Sequence, residues 1–444
     1  VAEPPASRGS LVVKLGSSAI TTGAGPDPVI AAETVAACAS AIAQGWGTVL
    51  VSSGAAALGQ LELDRRGTSS VAQHRQVAAA LGQPELMSTY GFIGRTLDVS
   101  TCQVLVSEAD LLSQDLVTAL GNLLRSCFAA GVLPVVNGND PTDTARSNND
   151  VIALAIAVAC QADHLVYLSD VDGVLDAPPP DGTVIPELSL DGLRRVPDLG
   201  TSAVGTGGMA QKLAAARLAA YNGIETTISR VGVPSAVRAI VDGRPVGTRV
   251  HAVAGAQPEA DRWLAGIAPS AGAVTINLEA ETSIRNGQSL FGSGIKKVRG
   301  SFGAGAVVDI EDHKRNLVGR GRVRASSDLL NLVRGLTARE AATIYLTVLD
   351  VWRRREHDPQ SSEGPAAAIS DREGFRRALE LVASNSAEQL RRMSLEIANM
   401  VPEILVDAAM YQGTESLAAE IEASTGRLSL VNNAQLVIFE TAAG

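Results

Sequence analysis

Two lysines stand on Gly-rich turns far apart in the chain: Lys14 in Val13-Lys14-Leu15-Gly16-Ser17-Ser18, and Lys212 at the end of Gly205-Thr206-Gly207-Gly208-Met209-Ala210-Gln211-Lys212. A glycine beside a strand end lets backbone N–H groups approach an anion, and the helix N-terminus that follows favours negative charge. Val51-Ser52-Ser53-Gly54-Ala55-Ala56 makes a third such turn, with hydroxyls. Each turn alone reads as ordinary loop chemistry. Together, two lysines on separate turns can hold a transferring phosphoryl group from both sides, supplying the charge stabilisation and positioning on which phosphoryl transfer depends.

Polar clusters supply the other half of a site. Asn137-Gly138-Asn139-Asp140 follows an apolar run, Ser147-Asn148-Asn149-Asp150 precedes a helical stretch, and Leu168-Ser169-Asp170-Val171-Asp172-Gly173 ends another run. These amides and carboxylates suit a polar substrate or a nucleotide, and equally suit turns and N-caps. No G-x-x-x-x-G-K-[ST] occurs, which argues against a P-loop enzyme, and no strand-linked G-x-G-x-x-G supports a dinucleotide site. Cys38, Cys102, Cys127 and Cys160 show no metal-ligand spacing, so reduced thiols and no metal site are expected. No apolar run reaches the roughly 20 residues of a membrane span, and a cytoplasmic protein is expected.

The elements that must carry these turns are legible as a rhythm. Leu11–Leu15, Thr48–Val51, Cys102–Val106, Leu133–Asn137, His164–Leu168 and Glu225–Ile228 read as strands, and Val29–Gln44, Gln114–Ala130, Asp150–Ala162 and Met209–Asn222 as helices. Strand and helix in alternation predict a mainly parallel sheet covered on both faces, with ligands at the carboxyl ends of its strands. After residue 250 the pattern changes to short alternating segments, Gly272–Leu278, Gly305–Ile310 and Leu317–Val323, which predict a small β-rich domain. Residues 351–368 read as a charged, then Ser/Gly/Pro-rich linker. The tail beyond it shows helical spacing and a closing strand pair over Leu428–Phe439 turning at Asn432-Asn433. Net charge is −10, yet eight basic residues between Lys296 and Arg324 face only three acidic ones. Of aromatic residues only Phe302 interleaves with them, so a solvated face is favoured over a nucleic-acid surface.

Taken in order, LVVKLGSSAIT, VSSGAAALG, AALGQPELM, QVLVSEADL, PVVNGND, YLSDVDGV, GTGGMAQK, PVGTRV and NGQSLFGSGIKKVRGSFGAG resemble the glutamate 5-kinases of the amino acid kinase family over about Leu11 to Leu349. The resemblance implies a three-layer α/β sandwich over 1–255, a PUA-like domain over 270–350, and an extension over 369–444 outside the family pattern. It implies phosphorylation of the glutamate side-chain carboxylate by ATP with Mg2+, the first step of proline biosynthesis. Lys14 and Lys212 would stabilise the transferring group. Gly16, Ser17, Gly54, Ser169, Asp170, Thr206, Gly207, Gly208 and Met209 would hold the nucleotide, and Ser53, Asn137, Asp140, Asn148 and Asn149 the acceptor. A carboxylate acceptor is ionised at pH 7 and needs no general base, in keeping with the absence of a His-centred motif.

Departures from the pattern sit before the third of these helices. Where the family reads Gly-Asp-Asn-Asp, this chain reads Arg146-Ser147-Asn148-Asn149 after a shorter loop, and Gly138 replaces a Glu. Two carboxylates are lost, one for the acceptor's amino group and one that organises the lysines. Asp150 would replace the second if the shorter loop shifts its register, against the roughly 100° by which one helical residue turns a side chain. Three readings follow: a glutamate 5-kinase, a paralogue acting on another small acid, amino acid or hydroxyl compound, and a non-catalytic or RNA-associated scaffold using the PUA-like domain. A homo-oligomer, dimer or tetramer, is expected, with the extension mediating assembly.

Overall fold

The computed structural model describes residues 8–337 apart from 68–73, 143–147, 178–180, 194–195, 197–207, 233–235 and 254–256. It also describes residues 341, 392–393, 396 and 430–439. These fall into two compact units, the first ending at Ala268 and the second running from Pro269 to Phe439.

The first unit is built on eight strands: β1 (Gly9–Leu15), β2 (Trp46–Ser52), β3 (Thr101–Val106), β4 (Leu133–Gly138), β5 (His164–Ser169), β6 (Glu187–Leu188), β7 (Glu225–Arg230) and β8 (Thr248–Val250). They lie in the order β3-β4-β2-β1-β5-β7-β8-β6, parallel except where β7 meets β8. The run Leu11–Leu15, apolar apart from Lys14, is buried on both faces, as a central parallel strand requires. Val13, Leu15, Leu50, Val135 and Val166 share one core with Val35, Cys38, Leu58, Leu86 and Tyr90 from the helices on that side. On the other side the helix Asn149–Cys160 packs on β1 and between the helices Gln114–Ala129 and Met209–Tyr221. Its run Ile152–Val158 is buried throughout, which fixes its first turn rigidly over the strand ends.

Register brings the strand ends level. Leu15 pairs with Ser52 and with Leu168, and Val51 with Val136. The residues at or just past these positions are Gly16, Ser53, Asn137 and Ser169. One layer of the wall depends on a close helix crossing. A Cβ on Gly59 would fall 1.8 Å from the Ala78 carbonyl oxygen, and one on Gly82 1.9 Å from that of Ala55. Glycine at both positions therefore lets the helices Ala55–Arg65 and His74–Thr96 meet backbone to backbone.

This unit continues past residue 255 to Ala268. The Trp263 indole donates to the Leu111 carbonyl at 2.9 Å, and Leu264–Ile267 are buried. The expected helix boundaries hold to within two residues. The helix His74–Thr96 was not expected from periodicity, its apolar residues being spread around its circumference.

The second unit has a five-stranded sheet of β9 (Ala273–Ile276), β10 (Ile295–Arg299), β11 (Val307–Glu311), β12 (Leu317–Val323) and β13 (Val431–Ile438), in the order β10-β9-β11-β12-β13. β13 corrects the expected hairpin: a single strand spans Asn432-Asn433 and pairs antiparallel with β12, with a shift of register between Val431 and Leu436. The end of the chain thus completes a sheet begun more than a hundred residues earlier. Met393, from the same distant segment, is buried in this core, and the Glu396 carboxylate accepts from the Ser326 N–H at 2.9 Å. Of the basic stretch, Arg299 pairs with Glu311 and Arg320 with Asp309, so acidic neighbours in the sheet offset part of its charge. Phe439 is almost wholly buried. Phe439→Ala should cost this unit about 3–5 kcal/mol, seen as faster hydrogen exchange in β12 with β1 protection unchanged.

Candidate active site

β1 delivers Lys14 and the Met209–Tyr221 helix delivers Lys212, and both side chains are buried. Between them lies Asp150, in the first turn of the Asn149–Cys160 helix and 1% exposed. Lys14 Nζ stands 2.5 Å from Asp150 Oδ1, and Lys212 Nζ donates to Asp150 Oδ2 at 3.1 Å. Burial pushes the Asp150 carboxyl up, but the two ammonium groups outweigh it and hold the carboxyl below its usual range. Burial lowers Lys14 against the opposing pull of Asp150. One carboxylate shared by two ammoniums leaves a surplus of positive charge.

Asn148 sets the register of this triad. Its Oδ1 caps the helix by accepting from the Asp150 N–H at 3.0 Å, and its Nδ2 donates to Gln211 Oε1 at 2.9 Å, tying the two helices together beside Lys212. Tyr167 adds a buried hydroxyl donating to the Asp150 carbonyl at 2.9 Å. With Asn148 as the cap, Asp150 reaches the lysines, and Asn149, one residue earlier, turns to another wall.

The triad forms part of a cavity of about 260 Å³. Its lining includes Gly16, Ser17, Gly54, Ser169 and Asp170, expected at the nucleotide, and Ser53, Asn137, Asp140, Asn148 and Asn149, expected at the acceptor. A Cβ on Gly16 would come within 3.8 Å of Lys14 Nζ, and Gly54 has φ +106°, where a side chain is strained. Both glycines leave open backbone on the cavity lining. Ala55–Ala57, the first turn of an 11-residue helix, also face the cavity, adding the partial positive charge of a helix N-terminus. This combination fits nucleotide phosphates. Gly208 and Met209 open the helix that carries Lys212 but are not among the described lining residues; Thr206 and Gly207 lie outside the described residues. Among the described residues no group of three His, Cys, Asp or Glu side chains could hold a metal alone. Mg2+ usually binds through one or two carboxylates together with phosphates, and Asp170, accepting from Ser169 Oγ at 3.1 Å, is the cavity carboxylate suited to it.

The acceptor wall is backed by an amide chain that sequence reasoning missed. Asn137 Oδ1 accepts from the Gly138 N–H at 2.8 Å. A backbone N–H can only donate, so this fixes the amide: Asn137 Nδ2 donates to Gln83 Oε1 at 2.9 Å, and Gln83 Nε2 to Gln103 Oε1 at 3.2 Å. On the cavity side Asn149 Nδ2 donates to Ser53 Oγ at 2.8 Å and to Asn137 Oδ1 at 3.2 Å. Gln83 lies in AALGQPELM, and a glutamine within that small and apolar run was the available signal. Gln83→Leu should leave the Asn137 amide unpaired, at about 1–3 kcal/mol. The expected reading is a higher KM for the acceptor with KM for ATP unchanged; Gln83→Glu, which still offers Asn137 an acceptor, should lose less.

Residues 10–230 match the amino acid kinase family and residues 272–345 the PUA domain. The glutamate 5-kinase of Photorhabdus laumondii is 33% identical over 345 residues, covering 76% of this chain and 94% of that protein. The glutamate 5-kinase of Serratia marcescens is 33% identical over 349 residues, with the same coverage of each. With two buried lysines on a shared carboxylate at the strand ends and relatives matched over nearly their whole length, the chain belongs to the amino acid kinase family, and carries a PUA domain after its kinase domain.

Proposed function

We propose that this ATP-using amino acid kinase transfers the γ-phosphoryl group to the side-chain carboxylate of glutamate, giving an acyl phosphate. The observation that carries the reading is that the Lys14–Asp150–Lys212 triad lines one cavity together with Ser53, Asn137, Asp140 and Asn149. The acceptor carboxylate is already ionised at neutral pH and attacks phosphorus directly as the bond to ADP breaks. The chain's task is to align the two and to neutralise charge spreading over the transferred oxygens. Lys14 and Lys212 supply that charge, and Asp150 holds both in place. Mg2+, held by the phosphates and Asp170, would shield the nucleotide's negative charge. ADP release measured across glutamate, aspartate and simple dicarboxylates tests the reading. Release should depend on glutamate; activity confined to another acid would instead support a paralogue of changed substrate.

The pH dependence has a definite sign. Burial lowers Lys14 below the ordinary lysine value of 10.5, so raising the pH removes its proton earlier than from an exposed lysine. The value of kcat/KM for ATP should fall on the alkaline side below pH 10.5, and a flat profile up to that pH would contradict the role of Lys14. Asp150 is held low and stays ionised, so it adds no loss near neutrality.

A further inference from the structure

Lys14 and Lys212 are both engaged by Asp150. The cavity's described lining contains one further cation, Arg75, near the start of the helix His74–Thr96. Its Nη2 lies 3.6 Å from Asp140 Oδ2, beyond hydrogen-bond distance, and the two side chains are 43% and 20% exposed. Both therefore keep hydrogen-bonding capacity toward the cavity. They line the same cavity as Ser53, Asn137 and Asn149. The pair thus offers an anion and a cation side by side, the complement of an ammonium and a carboxylate on one carbon. A guanidinium matches a carboxylate with two parallel donors, which a lysine cannot do.

Resting on the acceptor-kinase reading above, we propose that Arg75 is a specificity-determining residue that binds the non-reacting α-carboxylate of the acceptor while Asp140 takes its ammonium group. The acceptor class is then an α-amino dicarboxylic acid phosphorylated on its distal carboxylate. No motif or spacing singles out Arg75, and a single arginine at a helix start is most often solvated.

The test uses the full chain and three compounds: L-glutamate, 4-aminobutyrate, which is glutamate without its α-carboxylate, and glutarate, which is glutamate without its ammonium group. Arg75→Gln should raise KM for glutamate, and the inhibition constant of glutarate, by about tenfold or more, as loss of a charged hydrogen-bonding partner does. KM for ATP, kcat and the inhibition constant of 4-aminobutyrate should stay within about twofold, and Arg75→Lys should restore part of the affinity. An unchanged KM for glutamate would overturn the proposal. So would a parallel rise for 4-aminobutyrate, which would mean that Arg75 acts only by holding Asp140 or the wall. If the wild-type protein turned over no glutamate, the function proposed above would fail. The same comparison, read as dissociation constants by calorimetry, would then decide the part of Arg75: selective loss of the two α-carboxylate compounds supports it, and equal loss or no binding overturns it.

Discussion

Lys14→Met and Lys212→Met should each lower kcat by about 10³-fold, the scale on which a charged group aimed at a transferring phosphoryl or oxyanion acts. Methionine keeps much of the length and apolar stem of either lysine and removes the ammonium alone. The two losses should not multiply, because both lysines and Asp150 act as one unit, and the double variant should be little worse than either single one. ADP release under saturating ATP and glutamate measures this. Activity within tenfold of wild type would show that the buried triad is structural.

The second large effect lies at Asp150. Asp150→Ala leaves two buried ammonium groups facing each other without a counter-charge, and should cost about 3–5 kcal/mol of stability as well as activity. Asp150→Asn should keep the shape and lose the charge, so that kcat falls while the fold is largely retained. The neighbouring position provides the contrast. Asn149 spends its Nδ2 on Ser53 Oγ and Asn137 Oδ1. Asn149→Asp sets an acceptor oxygen against Asn137 Oδ1 and forfeits that donation. It should lower acceptor affinity, measured as KM for glutamate. A gain in activity would show that the family's carboxylate at this position is what the protein lacks.

That pair of residues also shows where the sequence stops being informative. Lys14, Ser53, Asn137 and Ser169 could be placed together in advance because the apolar runs before them are central parallel strands, whose ends must lie level. Whether Asp150 or Asn149 meets the lysines depends on one helical residue, and the Asn148 cap that decides it is a three-dimensional fact. Arg75 and Gln83 were passed over for a different reason: their helix shows no clear apolar stripe, because close backbone packing at Gly59 and Gly82 positions it more than any side-chain face does. In the second unit β11 and β12 were readable from local alternation. The pairing of β12 with β13 was not, since no local pattern links strands so far apart in sequence, and the Asn-Asn pair inside β13 imitates a turn.

If the lysine triad serves transfer of a phosphoryl group to a carboxylate, hydroxylamine should trap the acyl phosphate in the presence of ATP, Mg2+ and glutamate. Wild-type protein should form γ-glutamyl hydroxamate in step with ADP release, and Lys14→Met and Lys212→Met protein should form almost none. ADP release without hydroxamate, or equal hydroxamate from wild type and both lysine variants, would contradict the claim.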